Sequence, residues 1–404
     1  MLLIKGGKVC GDWLGNPSFL SEPEIYVDIL VNDGKIIEIS EEIPEAAGMA
    51  VYNADGLVVA SGLVDMHVHF REPGFEYKED IQTGAKAAAA GGFTTVCCMA
   101  NTLPVADNKE IIEMITRKAE EALITVLPVG AVTIGQRGTE LTDFAALKKA
   151  GAVALSDDGM PIKNEKIMRK ALIEAKKNDI LIISHCEEEE PMVERDVNLA
   201  VETGARIHIA HVSTAEAVET IRKAKAEGVK VTAEVTPHHF SLTDEAVAQK
   251  GTNAKMSPPL RSQKDVDAII KGLEDGTIDV IATDHAPHSA EEKALPFSDA
   301  PNGIIGLETS LALTLTHLYH TDILSISKII DLMSIKPAEI PGLKAGGLKV
   351  GSVADIVIFD PYEEWTVNPE NFKSKARNTP FGAVELTGKV KSIISKGMLI
   401  PDKS

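Results

Sequence analysis

Two histidines two residues apart, His67 and His69, lie in an apolar, β-branched stretch that is typical of a strand. Side chains at positions i and i+2 leave a strand on the same face, so both imidazoles point the same way. Neighbouring imidazoles on a rigid strand suit a borderline metal such as zinc. Arg71, again two residues further on, could hold a substrate carboxylate in a bidentate grip. This one segment therefore offers a metal site and an anion site together.

The composition is that of an ordinary globular protein, with 44% hydrophobic and 25% charged residues in a chain of 404. This length suits a barrel with a small appended domain. The formal net charge of −19 argues against nucleic-acid binding, although a local arginine or metal ion could still attract an anionic substrate. The cysteines form no CxxC pair, and we find neither a signal-peptide pattern nor an apolar run of membrane-spanning length. We therefore expect a cytoplasmic protein with reduced thiols.

Short strand-like segments at both ends of the chain predict one small β-sandwich. In residues 1–58 they are joined by turns, and Asp33-Gly34 suits the positive φ of a type I′ hairpin. Similar segments return in residues 341–404. We expect the two ends to pair with each other, with residues 59–340 inserted between them as a separate domain.

Residues 59–340 alternate strand-like and helix-like segments. The strand-like runs are Leu63–Phe70, Thr94–Met99, Ile124–Val129, Ala152–Ser156, Ile180–His185, Ile207–Val212, Lys230–Val235 and Val280–Thr283. Segments rich in Ala, Glu, Lys and Ile lie between most of them and predict helices. Eight strands with intervening helices indicate an α/β fold of the (β/α)8 (TIM) barrel type, since parallel strands need crossover helices.

Barrel enzymes carry their chemistry at the C-terminal ends of the strands, where this chain has many polar residues. These residues are His67, His69, Asn101, Asp157, Asp158, His185, His211, Asp284, His285 and His288. Any one of them alone is more readily explained by packing. Four histidines and two carboxylates at one end of a barrel instead indicate a metal site.

Four motifs resemble those of class I dihydroorotases, in the amidohydrolase superfamily, and the resemblance extends over essentially the whole chain. The motifs are Asp65–Gly74 (DMHVHFREPG), Ser156–Gly159 (SDDG), Lys255–Arg261 (KMSPPLR) and Ala282–His288 (ATDHAPH). The resemblance implies a zinc-dependent cyclic amidohydrolase. Its reaction would be the reversible cyclisation of N-carbamoyl-L-aspartate to L-dihydroorotate in pyrimidine (UMP) biosynthesis.

The resemblance also implies two zinc ions per chain. His67, His69 and Asp284 would hold one ion, and His185 and His211 would hold the other. A hydroxide between the two ions would be the nucleophile. Asp284 would take its proton and deliver it to the leaving amide nitrogen as a general acid/base.

The bridging ligand is the point at which this chain departs from many relatives, which carry a carboxylated lysine after the fourth strand. No lysine stands there in this sequence. The resemblance implies that Asp158, the second aspartate of Asp-Asp-Gly, bridges the ions instead. Asp157 stays the alternative, because adjacent strand residues face opposite ways and only one of the two should ligate.

The substrate is expected to bind through its carboxylate to Arg71 and through further contacts nearby. The residues expected to bind it are His69, Arg71, Asn101, Ser257, His288, Asn302 and Gly303. Ser257 stands where the family commonly has asparagine. Only 25 residues separate His185 from His211, whereas relatives usually have a longer excursion over the barrel mouth.

The other polar residues near the strand ends receive structural interpretations. His208, three residues before His211, is expected on the opposite face of its strand, packed against helices. His238 and His239 end the seventh strand and lie close enough to contact the ligands. The acidic run Glu187–Glu190 is expected to be a solvated helix start, where carboxylates favour the helix dipole.

Two other functions remain open. Another cyclic amidase, such as an allantoinase or hydantoinase, would favour a lysine after the fourth strand and would not need Arg71. An inactive dihydroorotase-like scaffold for aspartate transcarbamoylase would typically have lost ligands that this chain retains. We expect a homodimer, and association with aspartate transcarbamoylase stays open.

Overall fold

The structure, a computed structural model, describes residues 1–9, 25–345 and 347–401. The strands of this part of the chain are β1 (Leu2–Val9), β2 (Ile25–Asn32), β3 (Lys35–Ser40), β4 (Ala50–Asn53), β5 (Val58–Ser61), β6 (Leu63–Val68), β7 (Phe93–Cys98), β8 (Thr125–Gly130), β9 (Ala154–Leu155), β10 (Leu181–Ser184), β11 (Ile207–Ile209), β12 (Val231–Val235), β13 (Val280–Ile281), β14 (Ile356–Thr366), β15 (Glu385–Ser395) and β16 (Met398–Pro401).

The helices of the same part are α1 (Ile81–Ala90), α2 (Lys109–Ala119), α3 (Phe144–Ala150), α4 (Glu165–Asn178), α5 (Glu189–Thr203), α6 (Ala215–Ala226), α7 (Pro237–Ser241), α8 (Glu245–Lys250), α9 (Gln263–Asp275), α10 (Ala290–Lys293), α11 (Ser310–Thr314), α12 (Ile326–Ile330) and α13 (Lys336–Glu339). Several of them begin directly after a side chain that accepts a backbone N–H from the first turn. Asp80 does so before α1, Asn164 before α4 and Thr214 before α6. These caps satisfy amide groups that would otherwise lack partners at the helix start.

Strands β6 to β13 form a parallel sheet in which each strand neighbours the next in chain order. The sheet closes on itself where Val68 pairs in parallel with His285, and the His69 N–H donates to the His285 carbonyl over 2.9 Å. Small and medium apolar side chains, among them Met66, Val129 and Ala154, fill the interior of this barrel. The predicted (β/α)8 barrel is confirmed.

The second sheet combines both ends of the chain. Strand β5 pairs antiparallel with β14, and β1 pairs with both β5 and β2. Apolar residues from these strands, such as Ile4, Ile29, Val59 and Ile358, form a core of their own. The prediction that the two chain ends share one β-structure is confirmed, and the exact domain boundaries stay a prediction.

Two further expectations concern the cysteines and the membrane. Cys97, Cys98 and Cys186 are buried free thiols, and Cys10 lies outside the described residues. None of the helices in the described part of the chain has the length and apolar character that crossing a membrane requires.

Candidate metal centre and substrate site

The first strand of the barrel reaches the site through an irregular strand end. The register of β6 against β7 shifts between Asp65 and Val68. The buried Asp65 carboxylate accepts the N–H of His67 over 3.0 Å and that of Thr283 over 3.2 Å. Asp65, to which sequence reasoning gave no role, thus ties the end of the first strand to that of the last.

One group of potential ligands contains His67, His69, Asp158 and Asp284, all of them buried. Their ligand atoms lie within 4.8 Å of one another. His69 Nε2 lies 2.9 Å from Asp284 Oδ1, and His67 Nε2 lies 3.3 Å from Asp158 Oδ1. Residues from three different strand ends therefore present nitrogen and oxygen atoms to one point.

A second group contains His185, His211 and again Asp158. His185 Nδ1 lies 2.7 Å from His211 Nε2 and 3.2 Å from Asp158 Oδ1. His211 Nε2 lies 3.5 Å from the same oxygen. Asp158 therefore stands between the two groups, and the six residues that the sequence predicts as ligands lie together.

Asp157, the alternative bridging residue, points elsewhere. One of its carboxylate oxygens accepts the N–H groups of Val132 and Thr133, at 2.8 and 3.1 Å, and the other accepts the Thr133 hydroxyl. Its side chain is thus committed to the loop that follows β8. The geometry favours Asp158 over Asp157 as the shared ligand.

The ligand atoms fit a bound metal ion. His67 Nε2 and Asp158 Oδ1 are buried without a hydrogen-bond partner, an arrangement that buried polar atoms rarely adopt unless something else satisfies them. The close approach of His185 Nδ1 to His211 Nε2 brings two metal-binding nitrogens to one side of the same carboxylate. Imidazole nitrogens and carboxylate oxygens together are the donors that zinc prefers in catalytic sites.

The electrostatics of the centre favour a cation. Burial acts to raise the pKa of the Asp158 carboxyl, but His67 and His185 hold it well below its ordinary value. Burial acts in the same direction on Asp284, and His67 and His69 again keep its pKa low. Both carboxylates thus stay ionised although they are buried, and their negative charge attracts a metal ion.

Glu234, which sequence reasoning missed, orients the first of these histidines. Its Oε1 lies 2.6 Å from His67 Nδ1, and its Oε2 lies 3.1 Å from His208 Nε2. Because a carboxylate only accepts, Nδ1 carries a hydrogen, and in the neutral ring the lone pair is therefore on Nε2, which faces the centre. The signal in the sequence was weak: one glutamate inside the strand run Lys230–Val235, whose only other charged residue is Lys230 at its start.

The expectation for His208 was wrong. Its ring is fully buried and contacts Glu234, the same carboxylate that His67 contacts, rather than packing only against helices. The strand alternation that relates His208 to His211 fails because β11 ends at Ile209 and His211 has a φ of 33°.

Left-handed backbone conformations occur at further residues around the site. Arg71 and Asp284, like His211, have left-handed φ values, of 61° and 47°. Such conformations cost non-glycine residues about 1–3 kcal/mol each, so the surrounding structure must hold them. Each lies just past a strand end, where the backbone turns its side chain to an angle that a regular strand would not give.

The predicted anion site lies beside the metal centre. Burial lowers the pKa of the Arg71 guanidinium to about 10, which still leaves it charged at neutral pH. Arg71 Nε donates to the Pro287 carbonyl over 3.3 Å, and its Nη2 lies 3.4 Å from His288 Nε2. His288 Nε2 lies 2.8 Å from the Asn302 carbonyl, so this nitrogen carries the hydrogen and Nδ1 can accept from Lys78 Nζ at 3.3 Å.

The other residues predicted to bind substrate differ from one another in their contacts. Asn101 Oδ1 accepts from His69 Nδ1 over 2.9 Å, so Asn101 orients a candidate ligand. Gly303 follows Asn302, and its N–H donates to the Lys255 carbonyl over 2.9 Å. Ser257 is half-buried, and among the described residues its side chain forms no hydrogen bond with the others.

Two of the structural interpretations can also be checked. His239 contacts Thr236 Oγ1 at 2.7 Å and the Pro258 carbonyl at 3.1 Å, so its contacts run to the loop rather than to the ligands. A helix does start within the acidic run, but Glu189 is buried and not solvated. Its carboxylate accepts the N–H of Ser213 over 2.8 Å, which fixes the segment after His211.

The comparisons with known proteins agree with this geometry. Residues 58–400 match the model of the amidohydrolase family. An L-hydantoinase (dihydropyrimidinase) from Arthrobacter aurescens has a similar structure, with a TM-score of 0.91 and 25% identity, covering 100% of this chain and 96% of its own. A D-hydantoinase from Bacillus sp. AR9 shares the fold, with a TM-score of 0.88, 24% identity and coverage of 100% and 96%. The chain belongs to the amidohydrolase family.

Relatives with assigned names show which members of the family this chain resembles in sequence. A dihydroorotase from Clostridioides difficile (strain 630) is 47% identical, over 99% of this chain and 99% of its own. A dihydroorotase from Caldanaerobacter subterraneus subsp. tengcongensis is 48% identical, over 98% of this chain and 96% of its own. In sequence the chain is therefore similar to dihydroorotases over nearly its full length, while its structural neighbours include hydantoinases.

Proposed function

We propose that this protein is a dihydroorotase, which interconverts N-carbamoyl-L-aspartate and L-dihydroorotate. The observation that carries the proposal is near-full-length identity of 47% to a relative of that name. The position of Arg71 supports it, because L-dihydroorotate carries a carboxylate that an unsubstituted hydantoin ring lacks. A half-buried guanidinium beside the ligand groups suits that carboxylate.

The metal in this proposal is zinc, with two ions per chain. His67, His69 and Asp284 would hold one ion, and His185 and His211 would hold the other. Asp158, which belongs to both ligand groups, would supply a ligand to each ion. When bound, two zinc ions supply a water molecule of lowered pKa as the nucleophile and polarise the ring carbonyl.

Asp284 moves the proton in this mechanism. Its carboxylate is buried and ionised at neutral pH, so it is ready to accept the proton of the attacking water. It then delivers this proton to the amide nitrogen as the ring opens. In the direction of ring closure the same carboxylate accepts the proton from the nitrogen of the carbamoyl group.

Arg71 and its neighbours orient the substrate. The guanidinium binds the substrate carboxylate, with His288 beside it, and the Asn302 main chain holds the edge of the ring. Gly303 supports this main chain, since its N–H is bound to the Lys255 carbonyl and its own carbonyl to Lys293. Binding at two points fixes the ring carbonyl against the metal ligands, which lowers the entropic barrier to attack.

The oligomeric state, the cellular location and a protein partner are proposed in general terms. The substrate is a small molecule, and a homodimer in the cytoplasm stays a prediction. Association with aspartate transcarbamoylase also stays a prediction, since the six ligand residues lie together and do not by themselves require a second protein.

Substrate preference tests the proposal. The zinc-loaded protein should hydrolyse L-dihydroorotate with a kcat/KM at least about a hundredfold above that for hydantoin, 5,6-dihydrouracil or allantoin, because those rings lack the carboxylate. A higher kcat/KM for hydantoin or allantoin would support the other cyclic amidases. Activity that appears only after aspartate transcarbamoylase is added would support the scaffold function.

A further inference from the structure

The segment that connects β14 to β15, residues 367–384, lies against the barrel mouth. Within it, Asn378 is buried, with 4% of its surface exposed. Sequence reasoning gave this residue no role, and the mechanism above does not use it.

The Asn378 side chain joins two separate substrate-binding segments. Its Nδ2 donates to the Ala286 carbonyl and to the Gly303 carbonyl, both over 3.0 Å. Its Oδ1 accepts the N–H of His288 over 3.2 Å. Its main-chain oxygen accepts the N–H of Ile305 over 3.0 Å. Every polar group of the amide is used, and all of these partners are main-chain groups next to the predicted ring and carboxylate contacts.

The segment that carries Asn378 is itself held in place by two glutamates. The Glu308 carboxylate accepts the N–H groups of Lys373 and Ser374, at 2.9 and 3.1 Å. The Glu79 carboxylate accepts from the Ser374 hydroxyl and from the Lys375 N–H. Asn378 therefore projects from a fixed support rather than from a free loop.

Gly303 needs such a clamp because it lies unusually close to the opposite segment. It has a φ of 121°, and a Cβ atom built on it would lie 2.6 Å from Ala286 Cβ and 3.3 Å from His288 Nε2. Its carbonyl is held from a second direction by Lys293 Nζ, also over 3.0 Å. Small changes in the spacing of these segments would therefore move His288 and Gly303 relative to each other.

We propose that Asn378 is a positioning residue for substrate binding: it sets the distance between His288 and the Asn302–Gly303 main chain, although it lies outside the barrel. This inference rests on the proposed function. It assigns to the C-terminal segment a part in the affinity for L-dihydroorotate and no part in holding the metal, since none of the Asn378 contacts is to a ligand side chain.

The test compares Asn378→Asp and Asn378→Ala with the wild type, each loaded with zinc. Asn378→Asp keeps the acceptor for the His288 N–H but loses both donors, while Asn378→Ala loses all three side-chain bonds. We expect KM for L-dihydroorotate to rise by about tenfold or more in both, with kcat changed much less and zinc content unchanged. Asn371→Asp, an exposed asparagine of the same segment, is the matched control and should leave KM unchanged.

The outcomes separate a positioning role from a general structural one. A folded, zinc-loaded Asn378→Asp protein with a KM within about twofold of the wild type overturns the inference, whether or not Asn378→Ala folds. Loss of zinc also overturns the inference, and so does a fall in kcat of about tenfold with KM unchanged. In either case Asn378 would support the metal centre rather than substrate binding. Failure of the zinc-loaded wild type to hydrolyse L-dihydroorotate would contradict the proposed function instead. In that case the same KM comparison is made with the cyclic amide that the wild type does hydrolyse.

Discussion

The proposed metal centre and the proposed substrate site lie side by side but are built differently. The six proposed ligand residues stand at or just past the ends of barrel strands, and Glu234, within strand β12, contacts one of them. The proposed substrate site is assembled from loops that are joined through main-chain carbonyls. Arg71 donates to the Pro287 carbonyl, His288 to the Asn302 carbonyl and Asn378 to the Gly303 carbonyl.

This difference indicates which part of the fold controls metal binding and which part controls the affinity for substrate. The proposed ligands stand at the ends of the barrel strands, so their positions depend mainly on the barrel. The substrate contacts depend on loop spacing, which more distant parts of the chain can adjust. We therefore expect substitutions in the metal centre to abolish metal binding or turnover, and substitutions in the loops to change KM.

The largest effect is expected at the shared ligand. Asp158→Ala should lose at least one zinc ion and fall to background activity, because both ligand groups lose an oxygen. Asp157→Ala, its neighbour, should keep both ions and lose about 1–3 kcal/mol of stability, since two main-chain N–H groups lose their acceptor. Metal analysis of both proteins makes the comparison, and a two-zinc Asp158→Ala protein with near-normal turnover would contradict the bridging role.

A smaller effect is expected at the proton carrier. Asp284→Asn keeps an oxygen ligand but cannot accept a proton, so turnover should fall by about 10²–10⁴-fold while much of the zinc remains. Steady-state kinetics with parallel metal analysis test this. Wild-type turnover in the variant would exclude Asp284 as the general acid/base.

On the substrate side we expect a change in KM. Arg71→Lys keeps the charge but loses the two-pronged geometry, so KM for L-dihydroorotate should rise by about 10–100-fold with zinc content unchanged. Measuring KM at full metal loading tests this prediction. An unchanged KM would mean that another group binds the carboxylate.

The smallest effect on turnover is expected at Glu234. Glu234→Gln removes the negative charge that His67 Nδ1 contacts, so the zinc affinity should fall by about 10–100-fold. Turnover at saturating zinc should change much less. Competition with a chelator measures the affinity, and the exposed Glu216→Gln serves as the control. Equal affinities in the two variants would show that Glu234 is only structural.

Much of this comparison could be predicted from the sequence, because local geometry determines it. His67 and His69 follow from strand alternation, and the other ligands follow from polar residues at strand ends. Alternation failed for His208, since the chain leaves the strand before His211 with a left-handed backbone. The roles of Asp65, Glu234 and Asn378 depend on partners far away in the chain, such as Thr283, His67 and Gly303. No spacing in the sequence encodes such contacts.

The most direct test of the account is to strip the metal with a chelator and restore zinc in measured steps while L-dihydroorotate hydrolysis is followed. The account predicts that activity returns with added zinc and reaches its maximum at two ions per chain. Full activity in the metal-free protein, or a maximum that requires no second ion, would contradict a two-metal centre bridged by Asp158.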